Sequence, residues 1–123
     1  MLEMLKEERR NSSRVPAYRP VRLQQCGTSQ IIETLTKDIA LGGLRCVSHI
    51  LLPVSTEVGV DLSLSSGGEP LSARGKTTWF RIIPGSEQFD VGIEFIDLSL
   101  KNKIRLSAYI DMLSSRVELS EFK

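Results

Sequence analysis
Histidine is almost absent from this chain of 123 residues, where His49 stands alone. No histidine pair exists for metal ligation or a proton relay, and one loop histidine reads as a surface residue. Cysteine is scarce too, with only Cys26 and Cys46. Their spacing fits no metal site, and without a secretory context they read as buried thiols, not a disulfide. Aromatic residues amount to 6%, too few to interleave with basic residues as a single-strand nucleic-acid binder requires. No apolar run approaches the ~20 residues that span a bilayer. No basic-then-apolar leader opens the chain, so a cytoplasmic protein without a membrane partner is expected. An excess of positive charge is missing as well: the net charge is +1, which argues against DNA or RNA as a partner. With no catalytic constellation in view, no enzyme activity and no metal or cofactor are expected.

What is present is ordinary in amount and uneven in placement. The hydrophobic fraction is 41% and the charged fraction 25%, which suits one soluble domain with a modest core. Residues 1–30 hold Lys6, Arg9, Arg10, Arg14, Arg19 and Arg22 against Glu3, Glu7 and Glu8, a balance of +3 that leaves −2 for the rest. Positive charge therefore gathers at one end.

That end contains Arg10 and Arg14, four residues apart, with Pro16 close behind. The guanidinium fork makes paired hydrogen bonds and keeps its charge, which suits phosphate oxygens and guanine edges. An isolated pair at this spacing also fits a solvated linker. Residues 9–20 read as an arm, extended before Pro16 and Pro20. Residues 1–8 place Leu2 and Leu5 on one helical face beside Met1 and Met4. They read either as a short helix packed on the domain or on a second copy in a homodimer, or as a frayed end.

The rest reads as strands. Residues 21–26 alternate Val21 and Leu23 with Arg22 and Gln24, the period of a half-buried strand. Residues 30–37 are rich in β-branched side chains. Asp38, Ile39, Ala40, Leu41, Gly42 and Gly43 form a turn whose glycines let backbone approach a ligand. Further strands cover 44–48, 57–64, 71–83 with room for a bulge at Gly75, and 88–96. Trp79 and Phe80 read as core and surface packing. Short strands bounded by turn residues indicate an antiparallel barrel or sandwich. Ser99 is the N-cap of a closing helix over 99–117, whose Leu106, Ile110, Leu113 and Val117 form a face that covers an open barrel end.

Taken together, these stretches resemble the PilZ domain, the bacterial receptor module for cyclic di-GMP. That family carries Arg-x-x-x-Arg and then Asp/Asn-x-Ser-x-x-Gly. Arg10 and Arg14 match the first motif; Asp38, Ala40 and Gly43 occupy the second after 23 intervening residues. Val91-Gly92-Ile93-Glu94-Phe95 ahead of the helix also looks like the family, and the resemblance covers residues 9–117. It implies a six-stranded antiparallel β-barrel with a C-terminal α-helix, and an arm that folds over the barrel when ligand arrives. It implies cyclic di-GMP as ligand, held by Arg9, Arg10, Arg14, Asp38, Ala40, Gly42 and Gly43, and an unidentified protein partner that reads the bound state. Arg9 supports two readings, solvated charge or a third phosphate contact that would favour two ligands per chain. One departure stands out: the family serine is Ala40. The alternative reading is a degenerate PilZ-like adaptor that binds no nucleotide and acts through protein–protein contact.

Overall fold
The computed structural model describes the backbone of residues 14–121 and the side chains through residue 115. The expected N-terminal segment over residues 1–8, Arg9, Arg10 and the side chain of Val117 lie outside the described residues. The elements run β1 (Val15–Pro16), β2 (Pro20–Gln25), β3 (Ile31–Ala40), β4 (Gly43–Ser48), β5 (Glu57–Leu62), β6 (Leu71–Ile82), β7 (Phe89–Asp97) and α1 (Leu100–Glu121). Neighbouring strands follow the order β3-β2-β5-β6-β7-β4, and β4 pairs back onto β3. Every pairing is antiparallel. The result is a closed six-stranded barrel, with β1 as a short extra strand on β3.

Alternation decides what fills the barrel. Val58, Val60 and Leu62 point inward from β5, while Glu57 and Asp61 stay outside. Val21 and Leu23 of β2, Leu44 and Cys46 of β4, and Val91 and Ile93 of β7 do the same. These side chains form one buried cluster, and α1 contributes Leu106 to it at 0% exposure. Tyr109, Ile110 and Leu113 pack against the cluster from the same helix. The Ser99 hydroxyl accepts the N–H of Asn102 at 3.2 Å, the N-cap geometry expected of it. The helix is also tied to the barrel by the Asn102 Nδ2 donor on the Ser72 carbonyl at 2.9 Å.

Three sequence expectations change. The stretch from Asp38 is not a turn: β3 continues through Ala40, and only Leu41 and Gly42 connect it to β4, with Ala40 opposite Gly43. Pairing with β4 carries the strand past the point where β-branched weight alone would stop it. The helix runs to Glu121, past the expected end at 117. Cys26 is exposed in the turn after β2, while Cys46 is buried; both are free thiols. Burial, with the charge of Asp90 added, pushes the Cys46 thiol up to about 12, so it stays protonated and inert.

Two irregularities shape β6. A register shift at Arg74 and Gly75 is the bulge expected at that glycine, and a second falls between Thr77 and Trp79. The second pairs Trp79 with Gly92 on the outer surface. A Cβ at Gly92 would overlap the Trp79 indole, so the ring lies directly on that strand. Phe80 meets Phe89 edge to face, with centroids 6.3 Å apart.

Beside them Asp90, only 2% exposed, carries Arg81 Nη2 on Oδ2 at 2.9 Å. Lys37 Nζ lies 2.6 Å from Oδ1 as an ion pair, out of line for a well-formed hydrogen bond. Burial would push this carboxyl up; Lys37 and Arg81, with Arg45 further off, outweigh it and hold it below its ordinary value. Among the described residues no helix is long and apolar enough to cross a membrane, and no group of three His, Cys, Asp or Glu side chains could hold a metal ion.

Because the native pKa of Asp90 is depressed, its stabilisation is full above its ordinary value of 3.8 and disappears as pH falls through the lower native value. Both cations reach solvent, so Asp90→Asn should cost only ~1–2 kcal/mol at pH 7 in urea unfolding. The gap between parent and variant should close below pH 3.8. A gap that persists unchanged in acid would refute the assignment. Gly92→Ala should cost roughly 1–3 kcal/mol by overpacking, and should shift Trp79 fluorescence as the indole is pushed outward. Unchanged emission and stability would contradict the close contact.

Candidate functional site
The outer surfaces of β3, β4 and β7 come together because β4 lies between the other two. Outward positions then align in rows. Asp38 faces Arg45, which faces Gly92, which faces Trp79. The next row runs Ala40, Gly43, Glu94 and Lys76. The arm reaches these rows because β1 pairs Val15 with Ile39 and Pro16 with Asp38.

That attachment has a specific anchor. Thr36 is fully buried; its hydroxyl donates to the Ala17 carbonyl at 2.5 Å and accepts the Arg19 N–H at 2.9 Å. The Thr36 N–H donates to the Arg19 carbonyl at 2.9 Å. The Ala17 N–H donates to the Lys37 carbonyl at 3.1 Å, and Arg19 Nε to the Ser63 carbonyl at 2.8 Å. The prolines leave gaps in donor supply, and a threonine at the edge of the barrel fills both roles there. The second half of the arm is therefore laid down on the barrel from Val15 onward.

Arg14 then sits at the mouth of a cleft. Its Nη1 donates to Asp38 Oδ1 at 3.0 Å, and Arg45 Nε donates to Asp38 Oδ2 at 2.8 Å. One carboxylate thus holds two guanidinium groups. The cleft has a volume of about 250 Å³ and is lined by Arg14, Ala40, Gly42, Gly43, Thr78, Ile93 and Glu94. The positions expected from the sequence are brought together: Arg14, Ala40, Gly42 and Gly43 line it, and Asp38 braces its arginine. Arg9 and Arg10 fall outside the described residues.

The two glycines do different things. A Cβ at Gly42 would meet nothing within 4 Å, so that side of the turn is open. Its carbonyl accepts the Phe95 N–H at 2.8 Å, which pins the turn to β7. A Cβ at Gly43 would collide with the Ile93 carbonyl of β7. The room left by the missing side chain of Gly43 is taken by the neighbouring strand, so that glycine serves barrel closure.

Sequence reasoning missed Arg45, Thr78 and the placement of Glu94 and Trp79. Arg45 follows Gly43 by two residues on the same strand face, the one clue to its place. Glu94 was visible only within the stretch 91–95, with no role attached to it. Chemically, Arg14 offers a fork to an anion or to a guanine O6/N7 edge. Asp38 has used one direction on each oxygen and retains acceptor capacity, since a carboxylate offers about four lone-pair sites. Glu94 adds a second acceptor in the cleft.

The sequence pattern described as PilZ domain matches residues 8–112 of this chain. No curated protein sequence matches it. Among solved structures, the PilZ domain of YcgR from Escherichia coli, determined with c-di-GMP, is similar with a TM-score of 0.69 at 13% identity, covering 94% of this chain and 98% of that one. The Bacillus subtilis inhibitor of motility (MotI/DgrA) gives 0.70 at 19% identity over 82% of this chain and 48% of that one. MrkH of K. pneumonia gives 0.72 at 13% identity over 85% and 48%. The chain thus spans about half the length of the last two proteins. The family pattern across most of the chain, and a closed barrel of the same architecture, lead to one conclusion: this chain belongs to the PilZ domain family.

Proposed function
We propose that this domain is a receptor for cyclic di-GMP, bound against the outer faces of β3, β4 and β7, and that occupancy is read by a protein partner. The observation that carries the reading is Arg14, braced on Asp38 at 3.0 Å beside the open turn at Gly42. A guanidinium already aimed at a cleft needs less ordering to meet a phosphate or a guanine edge. Arg9 and Arg10 are adjacent in sequence and supply further guanidinium groups; two stacked ligands, with four phosphates, would use them. The domain binds and signals; it performs no catalysis, and its ligand is its only small molecule. A soluble bacterial cytoplasm is the setting in which such a receptor would act. The YcgR structure with c-di-GMP supports this choice of ligand.

A second reading is favoured by one observation. Ala40 lines the cleft where the family motif has serine. A domain that lacks that hydroxyl could serve as an adaptor that contacts its partner without nucleotide. The missing hydrogen bond is worth ~0.5–1.5 kcal/mol, a several-fold to tenfold loss, which is too small to abolish binding.

Calorimetric titration separates the readings. The parent should bind cyclic di-GMP, and Arg14→Ala should weaken binding by roughly ten- to a hundredfold, the loss of one charge-assisted contact. Ala40→Ser should tighten it several-fold. No heat from the parent would favour the adaptor, and an unchanged or weaker Ala40→Ser would overturn the account of that position.

Arg45→Ala tests the brace separately. With Asp38 released on one side, affinity should fall by about three- to tenfold, and thermal stability should barely change because Arg45 is partly solvated. Equal affinity in the variant would mean that Asp38 holds Arg14 without help.

A further inference from the structure
The outward side of α1 carries a row of apolar side chains. Leu100, Ile104 and Met112 are exposed by 73%, 62% and 41%, and Ala108, also exposed, stands between them. Spacing by four puts them on one side of the helix. That side is turned away from Leu106, which enters the core. Next to the row lies a cleft of about 440 Å³, lined by Leu41, Lys103, Ile104, Ser107, Ala108 and Asp111. Leu41 belongs to the connection between β3 and β4, so one wall is barrel and the other is helix.

The described chain begins beside this cleft. Val15 pairs with Ile39, two residues before Leu41, and β1 touches α1. Upstream of Arg14 the sequence opens with Met1, Leu2, Met4 and Leu5. Eight residues separate Leu5 from Arg14, and the nine Cα steps between them reach up to about 30 Å when extended. The row from Leu100 to Met112 is about 18 Å long, so the tether spans it. In a helical turn, positions 1, 2, 4 and 5 would share one side and offer four apolar side chains to the row. Glu3, Glu7 and Glu8, against Lys6, leave residues 1–8 with a net negative charge that complements Lys103 in the cleft lining.

We propose that residues 1–5 seat on the Leu100–Ile104–Ala108–Met112 row, so that the chain supplies its own cover for the outward side of α1. A tethered segment meets the helix at an effective concentration in the ~mM range. A second copy must find it from dilute solution and has no such advantage. The seat also fixes the upstream end of the segment that contains Arg9 and Arg10.

Cysteine cross-linking tests this on the full chain without nucleotide, so the result is independent of ligand binding. Cys26→Ser removes the exposed thiol, and Cys46 is buried and protonated. In that background, Leu5→Cys with Ile104→Cys should close a disulfide within one chain under mild oxidation. Leu5→Cys with Gln30→Cys, exposed in the connection between β2 and β3, should not. A nitroxide on Leu5→Cys alone should broaden the Ile104 and Met112 methyl signals at least twofold more than those of Val58 in the core. Cross-links between chains would mean that the row is a contact between copies. That outcome, no cross-link, or uniform broadening would each overturn the proposal.

Discussion
A closed barrel leaves no strand edge free, and here closure falls to β4. It must pair with β3 on one side and β7 on the other, and at Gly43 the β7 backbone comes too near for any side chain. This contact organises the site. It brings Asp38, Arg45 and Gly92 into one row and sets Ala40 next to Gly43. A β4 displaced outward by a side chain at position 43 would widen the sheet at the point where the cleft forms. The glycine of the family motif is thus explained by sheet closure, while the open side of the turn lies at Gly42.

Much of this fold was legible because its causes are local. The alternation of Val58, Val60 and Leu62, the Ser99 cap and the bulge at Gly75 are each decided by a few adjacent residues. What stayed hidden depends on register. The extension of β3 through Ala40 follows from pairing with β4, and Leu35 is exposed while Thr36 is buried because the neighbouring strand sets which residue faces in. The same holds for the site. Arg14 and Asp38 could each be read as a site residue from the two motifs, but their ion pair, and the reach of Arg45 to the same carboxylate, depend on cross-strand geometry. Cys26 was misplaced for a similar reason: hydrophobic pattern suggested a strand residue, and the turn at Gly27 exposes it.

The charges on the outer surface are arranged in shared pairs. Asp38 serves Arg14 and Arg45; Asp90 serves Lys37 and Arg81. The two carboxylates differ in depth. Asp90 is almost wholly covered, so its charge is retained only because two cations repay its desolvation. Asp38 remains partly solvated, and its ion pairs are individually weak. The deep pair fixes the strands, while the shallow pair holds Arg14 at the mouth of the cleft.

The arm brings this difference to bear on binding. Fixing a residue of extended chain costs roughly 1–2 kcal/mol in backbone entropy. From Val15 to Pro20 that cost is met by folding itself, through the pairing with Ile39 and the two-way hydroxyl of Thr36. A ligand at Arg14 therefore meets a guanidinium whose backbone is already set. Only its Nη1 is bonded to Asp38, so the other donors of the fork can meet a ligand while Asp38, braced in turn by Arg45, keeps the group in place. Loss of one hydroxyl at Ala40 is small against such preorganisation, so the sequence departure and a binding site are physically compatible.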